Sequence, residues 1–356
     1  MQKNERKLGI ELLRIICMMS MIIQHIIGHG WVIQSLHPGT WKYELVITLN
    51  SLCIFGISAF AMISGYVGVR ARYKYSSIVL QWSKMWIYSV FFTLLGSVIF
   101  PGSVDKKEWI QAFFPTLHGL FWYFTAYLVC FMIAPFIRQG MRRMSFKQAS
   151  INVCCMLVMF TVLAHAFTGD VFGTGGGKNA LWLVALYVIG AYFGWFEPHK
   201  KIPMAALGAF VIAAALVTAL TQPVAQRLGI ARLSNTLYWG STVRAMSMAV
   251  SLLLFFSRLE IKHGRKLIAW LGGASFGVYV LHEHPVIRFN TISKYAYLLT
   301  TLGNVEIVAG IVLAAAAMYL GCALVDALRE KIYRALRVKQ RLEALENRLL
   351  GDLEAK

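Results

Sequence analysis

The chain has 356 residues, 58% of them hydrophobic and only 14% charged, with a formal net charge of +19. Soluble domains hold roughly 45–50% apolar residues. Here the apolar residues run in blocks of about 18 to 22, each long enough to cross a hydrocarbon core of about 30 Å. A soluble fold is excluded. Nucleic acid is excluded as the partner of the basic surplus, because the charge is sorted by loop and not gathered in one patch.

The blocks predict an all-α, polytopic membrane helix bundle of ten spans: 8–28, 44–65, 78–100, 117–137, 149–167, 179–196, 203–222, 240–257, 266–286 and 304–326. The first block is too long for the apolar region of a signal peptide and lacks an A-x-A cleavage site, so it reads as a retained span. Of the 35 Lys and Arg residues, 24 fall in alternate segments, eight in the others, and three (Arg14, Lys84 and Arg244) within spans. Lys3 and Arg6 belong to the rich set and Arg232 to the poor one. By the positive-inside rule both termini are cytoplasmic, in a multi-pass protein of the cell (plasma or inner) membrane. Residues 1–326 form the transmembrane part and 327–356 a cytoplasmic helical tail. In that tail Ala335, Val338, Leu342, Leu345 and Leu349 recur at spacings of three and four, a seam for the inner leaflet or for a second copy of the chain. The six cysteines fall inside spans with no C-x-x-C spacing, so neither disulfides nor a zinc site is expected.

In chain order, the first candidate chemistry lies in span one. Arg14 and His25 are eleven residues apart, so at about 100° per residue they project within about 20° of each other, about 16 Å apart along the axis. Ionisable groups inside a bilayer are costly and face protein or a wet cavity, so the pair predicts a polar seam. A neutral imidazole suits a general base. Glu11, one turn before Arg14, is its natural ion-pair partner. Gln24 and His29 sit near the same end as His25; the His25–His29 spacing resembles some metal sites, but no carboxylate accompanies it, and no metal is expected.

Next, Phe60–Tyr75 reads FAMISGYVGVRARYKY, a span ending in Ser64-Gly65-Tyr66 and followed by Arg70, Arg72 and Lys74. Those cations either anchor the inner loop or cradle phosphate, which guanidinium forks bind bidentately. Trp122 and Tyr123 fall at the outer boundary, as an aromatic belt or as sugar-stacking groups. GTGGGK at 173–178 lacks the first Gly and the Ser/Thr of a phosphate loop and is expected to be a flexible turn. Arg244 is a buried cation whose role is open. His282, Glu283 and His284 cluster at the outer end of span nine, from which His282 or Glu283 can reach a cavity shared with His25.

On these residues the chain resembles the acyltransferase type 3 family of integral membrane O-acyltransferases, over roughly residues 8 to 326. ELLRIICMMSMIIQH resembles that family's first-helix signature, with Arg14 followed after ten residues by His25. ISGYVGVRAR resembles its Ser-Gly-Tyr segment and basic motif, although Arg70-Ala71-Arg72 departs from Arg-x-x-Arg. FWYFTAYLVCFMIAPFI and SFGVYVLHEHPVI resemble its later helices. The resemblance implies transfer of an acyl group, usually acetyl, from cytoplasmic acetyl-CoA to a hydroxyl of a cell-surface or exported glycan. No cofactor is permanently bound; acetyl-CoA is the co-substrate, and the acceptor is a glycan or lipid-linked glycan. His25 is then the general base or transient acyl carrier, with Arg14 beside the reacting groups and Arg70, Arg72 and Lys74 on the donor. Glu11, Ser64, Tyr66, Trp122, Tyr123, Arg244, His282 and Glu283 are further cavity candidates. The rival reading is a transporter or flippase of a lipid-linked sugar, which shares a polar seam but is weakened by the absence of internal repeats.

Overall fold

The computed structural model describes residues 7–164, 170–230 and 239–351. Lys3, Arg6, Arg232 and positions 165–167 of the fifth expected span lie outside the described residues. Among those described, every regular element is helical. The helices are α1 (Leu8–Gly28), α2 (Trp41–Leu52), α3 (Gly56–Gly68), α4 (Tyr75–Ile99), α5 (Lys106–Phe113), α6 (Trp122–Arg143) and α7 (Phe146–Leu157). They continue with α8 (Ala180–Phe196), α9 (Met204–Arg227), α10 (Val243–Arg258), α11 (Arg265–Glu283), α12 (Pro285–Asn290), α13 (Tyr295–Leu299), α14 (Glu306–Ala335) and α15 (Val338–Leu350).

Among the described residues each of the ten expected blocks coincides with helix, and seven segments are long and apolar enough to cross a membrane on their own. The 17 residues of α8 and the 16 of α10 are short for that purpose, and both helices are extensively buried. The second expected span is broken: the helix stops at Leu52 and restarts at Gly56. The break lets Gly56 lie against Ser20 and the Cys17 carbonyl of α1, where any side chain would collide. The last span is longer than expected, with α14 running 30 residues to Ala335.

The centre of the bundle is α1, packed by α3, α10, α11 and α14. Its apolar face (Leu13, Cys17, Ile22, Ile26) is fully buried. The tightest crossing is α3 on α8. There Gly65 lies against the Tyr187 backbone, Gly190 against the Met62 carbonyl and Gly194 against the Tyr66 carbonyl. Without side chains the backbones approach closely enough for dispersion to hold helices together in lipid. Gly65 of the Ser-Gly-Tyr segment is therefore a packing residue.

Outside the spans two contacts fix loops. The 173–178 turn is tied down: the Asp170 carboxylate accepts from Thr174 N and Oγ, both at 2.6 Å, and from the amides of Gly175 and Gly176. The chain's own carboxylate thus fills the amide nest. After a left-handed Arg337 (φ 50°), α15 folds back beneath α4. Glu343 pairs with Lys74 at 2.9 Å, and Glu346 accepts from the Tyr75 and Ser76 amides at 2.7 and 3.1 Å. A carboxylate at a helix N-terminus satisfies orphan amides and meets the positive end of the dipole. Leu345 and Leu349 of the expected seam remain exposed.

Candidate active site

The site is built on α1 and α11, and helix periodicity decides what each contributes. On α1, Glu11 and Arg14 are one turn apart and form a 2.7 Å ion pair. Glu11 is buried, seated against Gly272 of α11, whose missing side chain makes the room. Three turns on, His25 closes the other end of the same stripe. Both Arg14 and His25 keep accessible surface, at 27% and 24% of their side chains.

Opposite His25, α11 brings two of the candidates from span nine. His25 Nδ1 lies 3.0 Å from His282 Nε2, and His282 Nδ1 lies 2.7 Å from the Val278 carbonyl. A carbonyl only accepts, so His282 carries its proton on Nδ1 and offers a lone pair at Nε2. His25 must then donate from Nδ1. Its Nε2 is left unprotonated, as a base requires. Glu283 Oε1 also sits 2.8 Å from His25 Nδ1, a negative charge beside the same nitrogen. His29 lies beside His25, the two rings tilted with centroids 4.9 Å apart. The guanidinium of Arg288 lies 3.1 Å from His29 Nδ1; an arginine only donates, so that nitrogen accepts. His284 points away, toward the Ser89 carbonyl at 3.1 Å.

Glu283 is the carboxylate that the His25–His29 spacing lacked in the sequence. One ligand atom from each of His25, His29 and Glu283 lies within 4.8 Å of the others, close enough to share a cation. Arg288 brings a fixed positive charge to the same cluster.

One turn before His282, Tyr279 is buried with a ring centroid 5.7 Å from that of Tyr123. Tyr123 is buried as well, edge-on to Phe60 at 5.9 Å, and so is not part of an outer aromatic belt. Trp122 beside it is only partly covered. Neither tyrosine hydroxyl has an acceptor for its proton among the described residues. Buried polar groups are nearly always satisfied, so these two are donors in want of an acceptor. Arg244 is buried at the start of α10.

At the end of the bundle away from His25, basic residues meet several carboxylates. Arg70 donates to the Trp195 carbonyl at 2.8 Å and lies 3.6 Å from Glu197. Glu197 also meets Lys200 at 2.7 Å and Lys7 at 3.9 Å, and Lys7 donates to the Tyr66 hydroxyl at 3.1 Å. Burial would raise the Glu197 carboxyl, but the Lys200 hydrogen bond and the charges of Arg70, Lys200 and Lys7 hold it below the usual carboxylate range. Lys74 stands apart on Glu343, and Arg72 lines a small cavity of about 100 Å³ with Lys74, Glu343 and Glu346. Ser64 Oγ back-bonds to Phe60 within its own helix at 3.4 Å. Arg70 and Lys74 thus meet different carboxylates.

Beside Glu197, His199 is buried with Nε2 3.0 Å from Ser257 Oγ. Its Nδ1 has no hydrogen-bond partner among the described residues. Burial, opposed by Glu197 but reinforced by Lys7, Arg258 and Lys200, lowers this imidazole from 6.5 to about 4.

The structure therefore joins His25 with His282 and Glu283, and Arg14 with Glu11. It adds residues that the sequence reading missed. Tyr279 shares the helical face of His282, a signal that periodicity carried. Glu197 is the acidic residue in the basic loop EPHKK, which was the available hint. Arg288 carried no signal. The sequence model of one family, described as an acyltransferase domain, matches residues 7–326. Comparisons with curated proteins and with solved structures gave no match.

Proposed function

The chain belongs to the acyltransferase type 3 family and is a membrane acyltransferase, and from that premise we propose that it moves an acetyl group from cytoplasmic acetyl-CoA to a hydroxyl of a cell-surface or exported glycan. The layout in this reading is ten crossings of the cell membrane with both termini inside. The charge sorting supports it, as does the coincidence of every expected block with helix.

The observation that carries the reaction is the chain Val278 carbonyl, His282, His25, which favours the His25 tautomer with a bare Nε2. His25 Nε2 takes the proton of the acceptor hydroxyl as that oxygen attacks the thioester carbonyl. The carbon–sulfur bond then breaks, and the CoA thiolate leaves with the proton that His25 returns. The imidazolium formed in between is stabilised by the Glu283 carboxylate 2.8 Å away, in the way that a triad carboxylate serves its histidine. Tyr123 and Tyr279 supply hydroxyl donors for developing negative charge, a contribution of a few kcal/mol for a well-placed donor. Arg14 orients the donor from the inner half of the seam. Arg70, Arg72 and Lys74 form the inner rim that meets its phosphates, and binding there requires exchange of their present carboxylate and carbonyl partners.

The variant route has His25 Nε2 attack the thioester first, giving an acyl-histidine that the acceptor then cleaves. Rapid-quench with labelled acetyl-CoA and no acceptor separates the two: label retained on the protein marks the covalent route.

The test of the function is incubation of membranes containing the protein with acetyl-CoA labelled in its acetyl group. The expected result is label in glycan that mild alkali releases, as it does an oxygen ester. Absence of label, together with movement of a glycolipid between leaflets, would favour the flippase reading instead.

A further inference from the structure

A second polar feature inside the bundle lies apart from the His25 cluster. Between α4, α11 and α14, on the cytoplasmic side and floored by α15, lies a cavity of about 810 Å³. Its inner wall carries Lys84, nine residues into α4 and hence about 14 Å along the helix from its first turn. The ammonium of Lys84 has no hydrogen bond or ion pair among the described residues. The acids around it are already engaged: Asp326 with Arg329 at 2.6 Å, and Glu330 with Arg329 at 2.8 Å and Arg334 at 3.3 Å. Lys331 and Lys339, exposed at the mouth, are likewise without a carboxylate partner among the described residues. Gln81, one turn before Lys84, has a buried amide oxygen with no donor among the described residues. The remaining wall is apolar and small, with Leu80, Ala269, Gly273 and Ala274, and Trp270 at the rim.

An unpaired cation at membrane depth faces a water-filled or ligand-filled space, and basic pockets between helices on the cytoplasmic side suit phosphorylated headgroups. We propose that this cavity is a binding site for a phosphate-bearing amphiphile, with the phosphate on Lys84 and Lys339, a neighbouring hydroxyl donating to Gln81, and an apolar chain along the Leu80–Gly273 wall. Two sources share that chemistry: an anionic phospholipid of the inner leaflet and an acyl-CoA. No residue of the His25 cluster lines the cavity.

The test uses the full-length protein in a neutral detergent, with thermal stabilisation read against phosphatidylglycerol, phosphatidylcholine and acetyl-CoA. Phosphatidylglycerol or acetyl-CoA, or both, are expected to raise the melting temperature of the unaltered protein at concentrations where phosphatidylcholine does not. Lys84→Gln should weaken that apparent affinity at least tenfold. Lys339→Gln, a surface change on α15 that folding tolerates, should weaken it several-fold, while Lys106→Gln on α5 leaves it unchanged. Lys84 dependence seen with phosphatidylglycerol alone makes the ligand a leaflet lipid; seen with acetyl-CoA alone, it makes the ligand the acyl donor. Equal response to phosphatidylcholine, or affinities unmoved by both Lys84→Gln and Lys339→Gln, would overturn the proposal.

Discussion

His25 and His282 are joined nitrogen to nitrogen at 3.0 Å across the α1–α11 interface, and the second nitrogen of His282 is tied to the Val278 carbonyl at 2.7 Å. His282 is therefore a positioning residue that fixes which His25 nitrogen is bare. Its replacement by alanine is expected to lower turnover about 10²-fold, since general-base catalysis is worth 10²–10⁴ and the tautomer is lost with the partner. His282→Gln keeps an acceptor for the His25 proton and should recover part of that loss. Turnover and its pH profile, measured for both variants at matched protein abundance, check this. Equal losses in the two would argue for packing alone.

What the sequence carried, and what it did not, follows from the range of the contacts. The ten helical blocks were legible because hydropathy is local. His25 and Arg14 were legible because a charge inside an apolar block violates that hydropathy. The break at Cys53–Phe55 was not, because the close approach of Gly56 to Ser20 that goes with it is a contact between two helices. The His25–His282 bond spans 257 residues, and sequence placed both only in the outer half of the membrane. For the basic residues after span two the sequence leaves two readings, loop anchors or a phosphate cradle, because the carboxylates that Arg70 and Lys74 meet, Glu197 and Glu343, are distant in the chain.

The imidazole of His199, outside the spans, gives a pH dependence whose sign is fixed. Its folded value of about 4 lies below the ordinary 6.5, so the unfolded chain binds the extra proton between those limits. Stability is fully present above pH 6.5 and falls as pH drops toward 4, by up to roughly 3 kcal/mol. Melting temperatures of the solubilised protein from pH 4.5 to 7.5 should rise with pH, and His199→Gln should flatten the slope. An unchanged slope contradicts the assignment.

The α3–α8 crossing predicts a steep penalty for any side chain at its centre. Gly190→Val places methyl groups on the Met62 carbonyl and is expected to cost about 1–3 kcal/mol or more by overpacking. Gly28→Val, where nothing lies within 4 Å, is the matched control on α1. The fraction of monodisperse protein after extraction should fall for the first and hold for the second.

The docking of α15 predicts a stability role for an exposed-looking tail. Glu346→Ala frees the Tyr75 and Ser76 amides and should cost about 1 kcal/mol, as loss of a helix cap does. A lowered melting temperature that Glu346→Asp partly restores is expected. No change would mean that α15 does not hold the start of α4.

The central claim is that His25 takes the proton of a glycan hydroxyl. It is tested most directly by comparing the masses of surface glycans from cells carrying the unaltered protein and from cells carrying His25→Ala, at equal abundance in the membrane. Loss of one acetyl group per modified sugar in the His25→Ala cells is the predicted result. Glycans of identical mass, still acetylated, would contradict it.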